Sequence, residues 1–191
     1  MELKDEDLDL ILQFKEGNKN AFEEIIKKYK KIVINVAYNF VYNTSDAEEI
    51  AQEVFIKIYQ NIHKFNPKAK FKTWVYKITS NLCINVLKKK KIHSEVLVSD
   101  TKTLPANKIT DSASLGDNFL IQKELSEIVR NAIFKLSPRQ RLAILLQYYE
   151  DMSLKEIGES LSCSSAAAGV LLQRARESLQ KILSIHLKDI V

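Results

Sequence analysis

Between Ala21 and Tyr42 the apolar positions Phe22, Ile25, Ile26, Tyr29, Ile32, Val33, Val36 and Ala37 recur at i, i+3, i+4 and i+7. That spacing predicts an amphipathic helix with one face turned to a core. Asn43-Thr44-Ser45 interrupts the pattern, and Ser45 followed three residues later by Glu48 is a capping box that starts a new helix at Asp46. The apolar stripe of this helix is Ala47, Ile50, Ala51, Val54, Phe55, Ile58 and Ile62, while Glu49, Gln52, Glu53, Lys57 and Gln60 surround Ile56 on the other side. A short loop over 63–72 leads to Trp74 and Tyr76, which open a third helix running to Lys91. From Ile92 to Asn118 the periodicity fails and Ser, Thr, Asn, Asp, Pro and Gly accumulate, the composition of a flexible linker.

Helical patterning returns at Leu125–Leu136. Ser137-Pro138 then supplies an N-cap with proline at the first helical position, predicting a helix to Tyr149. Ser153 and Glu156 form another capping box before a short helix that ends at Leu161. Ser162-Cys163-Ser164 is a three-residue turn whose last member caps a long helix to Leu183. Short helix, tight turn and long helix is the helix-turn-helix layout, with the long helix in the recognition position. Plain helical bundles share that layout; Arg174 and Arg176 on the last helix favour nucleic acid. The expected fold is all-α, with two helical domains, 1–91 and 119–191, joined by a flexible linker over 92–118, the second a helix-turn-helix domain.

Composition narrows the class. A chain of 191 residues, 46% hydrophobic and 28% charged, can bury a core, and four glycines with three prolines are too few turn formers for a β-sandwich or a Rossmann sheet. Cys83 and Cys163 lie far apart, and His63, His93 and His186 are scattered, so neither a disulfide framework nor a metal site is expected, nor any cofactor. The first ten residues, MELKDEDLDL, are acidic where an export signal would be basic and then apolar. No apolar run approaches the roughly 18 residues of a membrane span. The expectation is a cytoplasmic protein without membrane insertion.

Charge is segregated along the chain. Asp46, Glu48, Glu49 and Glu53 cluster on one helix; an acidic face with an apolar centre suits protein docking as well as plain solvation. From Phe65 to Lys91 there are eight lysines, at 68, 70, 72, 77, 88, 89, 90 and 91, and no acid. Lysines interleaved with Phe65, Phe71, Trp74 and Tyr76 suit single-stranded nucleic acid, amines holding phosphates and rings stacking on bases. Trp74 taken alone reads equally as core. All five arginines come later, at 130, 139, 141, 174 and 176.

In this order the segments resemble the bacterial RNA polymerase sigma factors of the compact, extracytoplasmic-function type. AEEIAQEVFIKIYQNIHKF (47–65) is similar to the family's core-binding helix, and FKTWVYKITSNLCINVLKKKK (71–91) to the segment that melts and reads the minus-ten element. LSPRQRLAILLQYYEDMSLKEIGESLSCSSAAAGVLLQRARESLQKIL (136–183) resembles the module that binds the minus-thirty-five element. The resemblance implies that Asp46, Glu49, Gln52, Glu53 and Ile56 face the clamp coiled coil of the polymerase β′ subunit. It puts Lys70, Lys72, Thr73, Trp74, Lys77 and Asn81 near the separated minus-ten strand, with Lys88, Lys89, Lys90 and Lys91 on nearby phosphates. For the minus-thirty-five element it implies Arg139, Arg141, Ser164, Ser165, Gly169, Gln173, Arg174 and Arg176. Partners implied are core RNA polymerase, promoter DNA and an anti-sigma protein that covers the same surfaces.

One stretch departs from the family pattern. The groove-facing positions of the last helix read Ser165, Ala166, Gly169, Val170 and Gln173, of which only Ser165 and Gln173 can hydrogen-bond a base edge. Readout by shape, weak promoter specificity and use of the helix against a protein all fit that composition. The competing function is a conventional helix-turn-helix regulator acting on duplex DNA without polymerase, which has no need of an acidic helix beside an acid-free lysine segment. An enzyme finds no support: there is no phosphate-cradling glycine loop, metal spacing or nucleophile elbow. The paired glutamates 23–24 and 48–49 diverge by about 100° on a helix and do not share a face.

Overall fold

The computed structural model describes residues 6–67, 69–96 and 117–187, and in those residues it is entirely helical and irregular, without a strand. The helices are α1 (Glu6–Lys15), α2 (Lys19–Val41), α3 (Thr44–Asn61), α4 (Phe71–Val96), α5 (Asp117–Phe134), α6 (Pro138–Tyr148), α7 (Leu154–Ser160) and α8 (Ser165–Leu187), with a single 3₁₀ turn at Ile62–Lys64. Most of the expected linker, 97–116, lies outside the described residues, as does Lys68. The two ends of that linker are helical, since α4 continues to Val96 and α5 begins at Asp117.

In the first unit α2 and α3 form an antiparallel pair, closed by α1 on one side and α4 on the other. The apolar stripe of α2 is buried at Ile25, Tyr29, Val33, Val36 and Phe40, and that of α3 at Ala47, Ile50, Val54 and Ile58. Each buried valine, isoleucine or phenylalanine among them contributes roughly 1.5–3 kcal/mol on leaving water. Phe65 and Phe71 seal the end of this core, edge-on to each other with ring centroids 5.3 Å apart. Helix α1 was not anticipated. It is fixed by polar contacts to α2, the Tyr29 hydroxyl donating to Asp7 at 2.6 Å and the Lys28 ammonium lying 2.8 Å from the same carboxylate.

The start of α3 corrects the expected capping box. Asn43, not Ser45, is the N-cap, its side-chain oxygen accepting from the Asp46 amide at 3.0 Å. Tyr42 ends α2 in the left-handed region, φ 52°, so the chain has already reversed and the next short polar side chain caps the new helix. The Ser153 box forms as expected, and the Ser137 cap proves to be a box as well. The Ser137 amide donates to Gln140 Oε1 at 3.1 Å, and the Ser153 amide to Glu156 Oε2 at 3.0 Å.

In the second unit α6, α7 and α8 enclose Leu142, Leu145, Leu146, Ile157, Leu161, Ala168, Leu172 and Ala175. The tight turn between α7 and α8 depends on Gly158, because a Cβ there would stand 2.8 Å from the Cys163 carbonyl oxygen and 3.1 Å from Ser164 C. Ser164 caps α8, its hydroxyl accepting from the Ala167 amide at 3.1 Å.

The two units are packed together. α4 lies against α6 and α7, and α6 also meets α2.

Candidate nucleic-acid and protein interfaces

On α3 the core side and the acidic side separate cleanly. Burial of Ala47, Ile50, Ala51, Val54 and Ile58 leaves Glu49, Gln52 and Ile56 exposed, with Asp46 and Glu53 half-buried beside them. Ile56 is 55% exposed, a large apolar side chain held in water by the geometry of its own helix. Beside it a groove between α2 and α3 is lined by Ile26, Ile34, Ala51 and Phe55. The five residues expected to dock a protein therefore share one surface, acidic around an apolar centre.

On α4 a helical repeat of 3.6 puts Trp74, Lys77, Asn81 and Lys88 on one stripe, spanning about 21 Å at a rise of 1.5 Å per residue. Lys77, Asn81, Lys88 and Lys89 are exposed and Trp74 is half-buried. Lys90 and Lys91 continue the helix, with their side chains outside the described residues. Lys72 is exposed on another face, its ammonium 5.6 Å from the Tyr76 ring centroid. Trp74 leans on Phe65 and Phe71, with centroids 5.5 and 5.6 Å away, so it joins core and surface at once. Thr73 is buried, in a crevice that it lines with Trp74 and Lys77 from α4 and with Gly158, Glu159 and Cys163 from the other unit. Lys70 reaches across the same boundary, its ammonium 2.8 Å from Glu156. That contact, with the Ser153 cap, lowers the Glu156 carboxyl to about pKa 2 and raises Lys70 above its ordinary value.

On α8 the alanine-rich string divides between two faces. Ala168, Leu172 and Ala175 are buried, whereas Ser165, Ala166, Val170, Gln173, Arg174 and Arg176 are exposed and Gly169 is half-buried between them. The outward face is small and apolar at its centre and basic at its end. Gln173 donates to Glu177 at 3.1 Å, and Arg176 to the Tyr148 hydroxyl at 3.0 Å. Arg139 is exposed and pinned to the Leu161 carbonyl at 2.8 Å, where α7 ends.

Arg141 has to be withdrawn from the DNA-facing set. It is 4% exposed, and its guanidinium lies where the C-terminal ends of α2 and α5 converge. One terminal nitrogen donates to the Phe40 carbonyl at 2.8 Å; the other donates to the Phe134 carbonyl and, at 3.5 Å, to that of Leu136. The Phe134 and Phe40 rings flank the cation at 4.1 and 5.1 Å. Carbonyls at helix ends lack intrahelical partners and carry the negative pole of the dipole, so a planar fork of donors satisfies them without any carboxylate. Burial lowers the Arg141 pKa to about 10, which leaves it a cation at neutral pH. Nothing local in the sequence announced this role: Phe40 and Arg141 are 101 positions apart.

Among the described residues no group of three or more His, Cys, Asp or Glu side chains could hold a metal ion, and no helix is long and apolar enough to cross a membrane.

A helical unit with an acidic, apolar-centred face and a lysine-aromatic stripe is thus followed in this chain by a helix-turn-helix. The chain matches Sigma-70 region 2 over residues 25–92 and Sigma-70 region 4 over residues 126–179. It is 36% identical over 177 residues to the ECF RNA polymerase sigma factor SigW of Bacillus subtilis, covering 91% of this chain and 94% of that one. The RNA polymerase sigma-H factor of Pseudomonas aeruginosa is 26% identical over 97% of this chain and 98% of its own length. Two solved structures share the fold at a TM-score of 0.66. CnrH in complex with the cytosolic domain of CnrY is 21% identical, over 95% of this chain and 99% of that one. The sigma factor RpoE in complex with the anti-sigma factor NepR, from Bartonella quintana, is 19% identical, over 86% and 97%. The chain belongs to the ECF RNA polymerase sigma factors, which direct promoter recognition and the initiation of transcription.

Proposed function

We propose that the chain works as two modules, 1–91 and 119–191, connected through 92–118, and that each surface described above has its own partner. The acidic face of α3, with Asp46, Glu49, Gln52, Glu53 and Ile56, docks on the clamp coiled coil of the β′ subunit of core polymerase. The stripe of α4, with Trp74, Lys77, Asn81 and the lysines at 88–91, joins Lys70, Lys72 and Thr73 in holding the displaced minus-ten strand. A pocket beside Phe71 and Trp74 offsets part of the few kcal/mol that base flipping costs. Exposed Ser165, Gln173, Arg174 and Arg176 on α8, with Ser164 and Gly169 at its start and Arg139 nearby, meet the minus-thirty-five duplex. Phosphate contacts from the arginines position the helix, and only Ser165 and Gln173 read base edges. The protein is a binding factor without chemistry of its own and works in the cytoplasm. The pairing of RpoE with the anti-sigma factor NepR supports an anti-sigma partner for this chain as well.

The observation that carries the reading is the exposed Ile56 ringed by Glu49, Gln52 and Glu53, because neither the fold nor DNA binding requires an acidic face with an apolar centre. Glu49→Lys with Glu53→Lys is expected to abolish co-elution with core polymerase in gel filtration while the circular-dichroism melt stays unchanged. Undiminished co-elution would refute the docking face.

A further inference from the structure

The surface of α4 that the proposed function gives to the displaced strand is not free. Lys70 is paired with Glu156, and Thr73, Trp74 and Lys77 share a crevice with Glu159 of α7. The Tyr76 hydroxyl, on the adjoining face of α4, donates to Glu150 just ahead of α7. Three carboxylates of the second unit thus lie against a run of the first that contains no acid at all. Glu156 and Glu159 belong to the short α7, and Glu150 lies just ahead of it. Behind them Arg141 ties the two units together through buried hydrogen bonds to both.

We propose that α7 with Glu150, Glu156 and Glu159 is an internal substitute for the DNA strand, which holds the free chain closed and keeps α4 from binding nucleic acid until the units separate. The proposal rests on the reading of α4 as the strand-binding face. Without these carboxylates the lysines around α4 would repel one another unopposed, and a surface of opposite charge offsets that repulsion as a phosphate backbone would. Two surfaces with the same complement cannot be occupied together, so strand capture and closure exclude each other. Docking through α3 is compatible with both states, since its exposed face lies away from this contact.

The test uses the full chain and its single tryptophan, Trp74, which lines the crevice and reports opening by its emission. Glu150→Gln/Glu156→Gln/Glu159→Gln keeps side-chain shape and the Ser153 cap, because glutamine serves a capping box as well as glutamate. A second variant, Glu16→Gln/Glu23→Gln/Glu24→Gln, makes the same charge change on exposed positions of the first unit. Small-angle scattering, Trp74 emission and anisotropy of a labelled single-stranded oligonucleotide are then measured at low salt. The first variant is expected to expand, shift its emission to the red and bind the oligonucleotide on the order of tenfold more tightly than wild type, a change of about 1.4 kcal/mol. The second is expected to stay compact and bind within about twofold of wild type, the scale of exposed-charge effects. A wild-type chain that is already extended, or a first variant no more open and no tighter than the second, overturns the proposal and leaves the function of α4 standing. A first variant that opens without gaining any affinity for the oligonucleotide overturns the strand-binding reading, and the substitute falls with it.

Discussion

Helices α3 and α4 are neighbours in the same unit, yet they stand in opposite states of readiness. The acidic face of α3 is open, with Ile56 in water and Glu49 and Gln52 unobstructed. The basic face of α4 is partly covered by α7, with Thr73 buried and Lys70 already paired. On the proposed assignments the difference orders the events: the free chain presents its protein-docking surface first and its nucleic-acid surface only after rearrangement. It also shows why net charge misleads here. An excess of +5 says that an anionic partner is wanted, but part of that demand is met inside the chain.

The comparison breaks most severely at Arg141. Arg141→Leu leaves the Phe40, Phe134 and Leu136 carbonyls buried without a donor, at about 3 kcal/mol in all. Thermal unfolding of the full chain is expected to fall by roughly 6–12 °C. A melt unchanged within a degree or two would show that the clasp holds nothing. A smaller effect separates the two helices directly. Lys72→Ala with Lys77→Ala should leave co-elution with polymerase intact and reduce permanganate reactivity of the melted promoter, so wild-type reactivity would remove these two lysines from strand capture. The smallest effect sharpens the reading of α8. A Cβ at Gly169 meets only Leu154 Cδ1, at 3.8 Å, so Gly169→Ala should stabilise the chain by about 0.5–1 kcal/mol. If promoter affinity is retained in a mobility-shift assay with holoenzyme, no close backbone approach to DNA occurs at that position; a loss would establish one.

Much of the architecture was legible in local signals. The caps at Ser137, Ser153 and Ser164 and the stripes of α2 and α3 all act within four residues, and each marked its element. The exposure of Glu49, Gln52 and Ile56 on α3 followed from helical spacing alone. Legibility stopped where a residue's role is set by something distant. Arg141 lies among residues that resemble a DNA-binding module, and only the convergence of two helix ends turns it inward. Ser45 lost the cap to Asn43 because Tyr42 had already turned the chain. Gly158 looked unremarkable until the return of the chain at Cys163 closed over it.

The buried guanidinium of Arg141 has one more consequence, for the choice among promoters. A chain whose strand-competent form is a minor population captures the strand more weakly by that fraction, each tenfold of closure weakening the apparent affinity for DNA tenfold. The contact that one arginine makes to the Phe40 carbonyl therefore acts as a threshold: strengthening it would confine this factor to the promoters that hold it most tightly, without touching a single residue that meets polymerase or promoter.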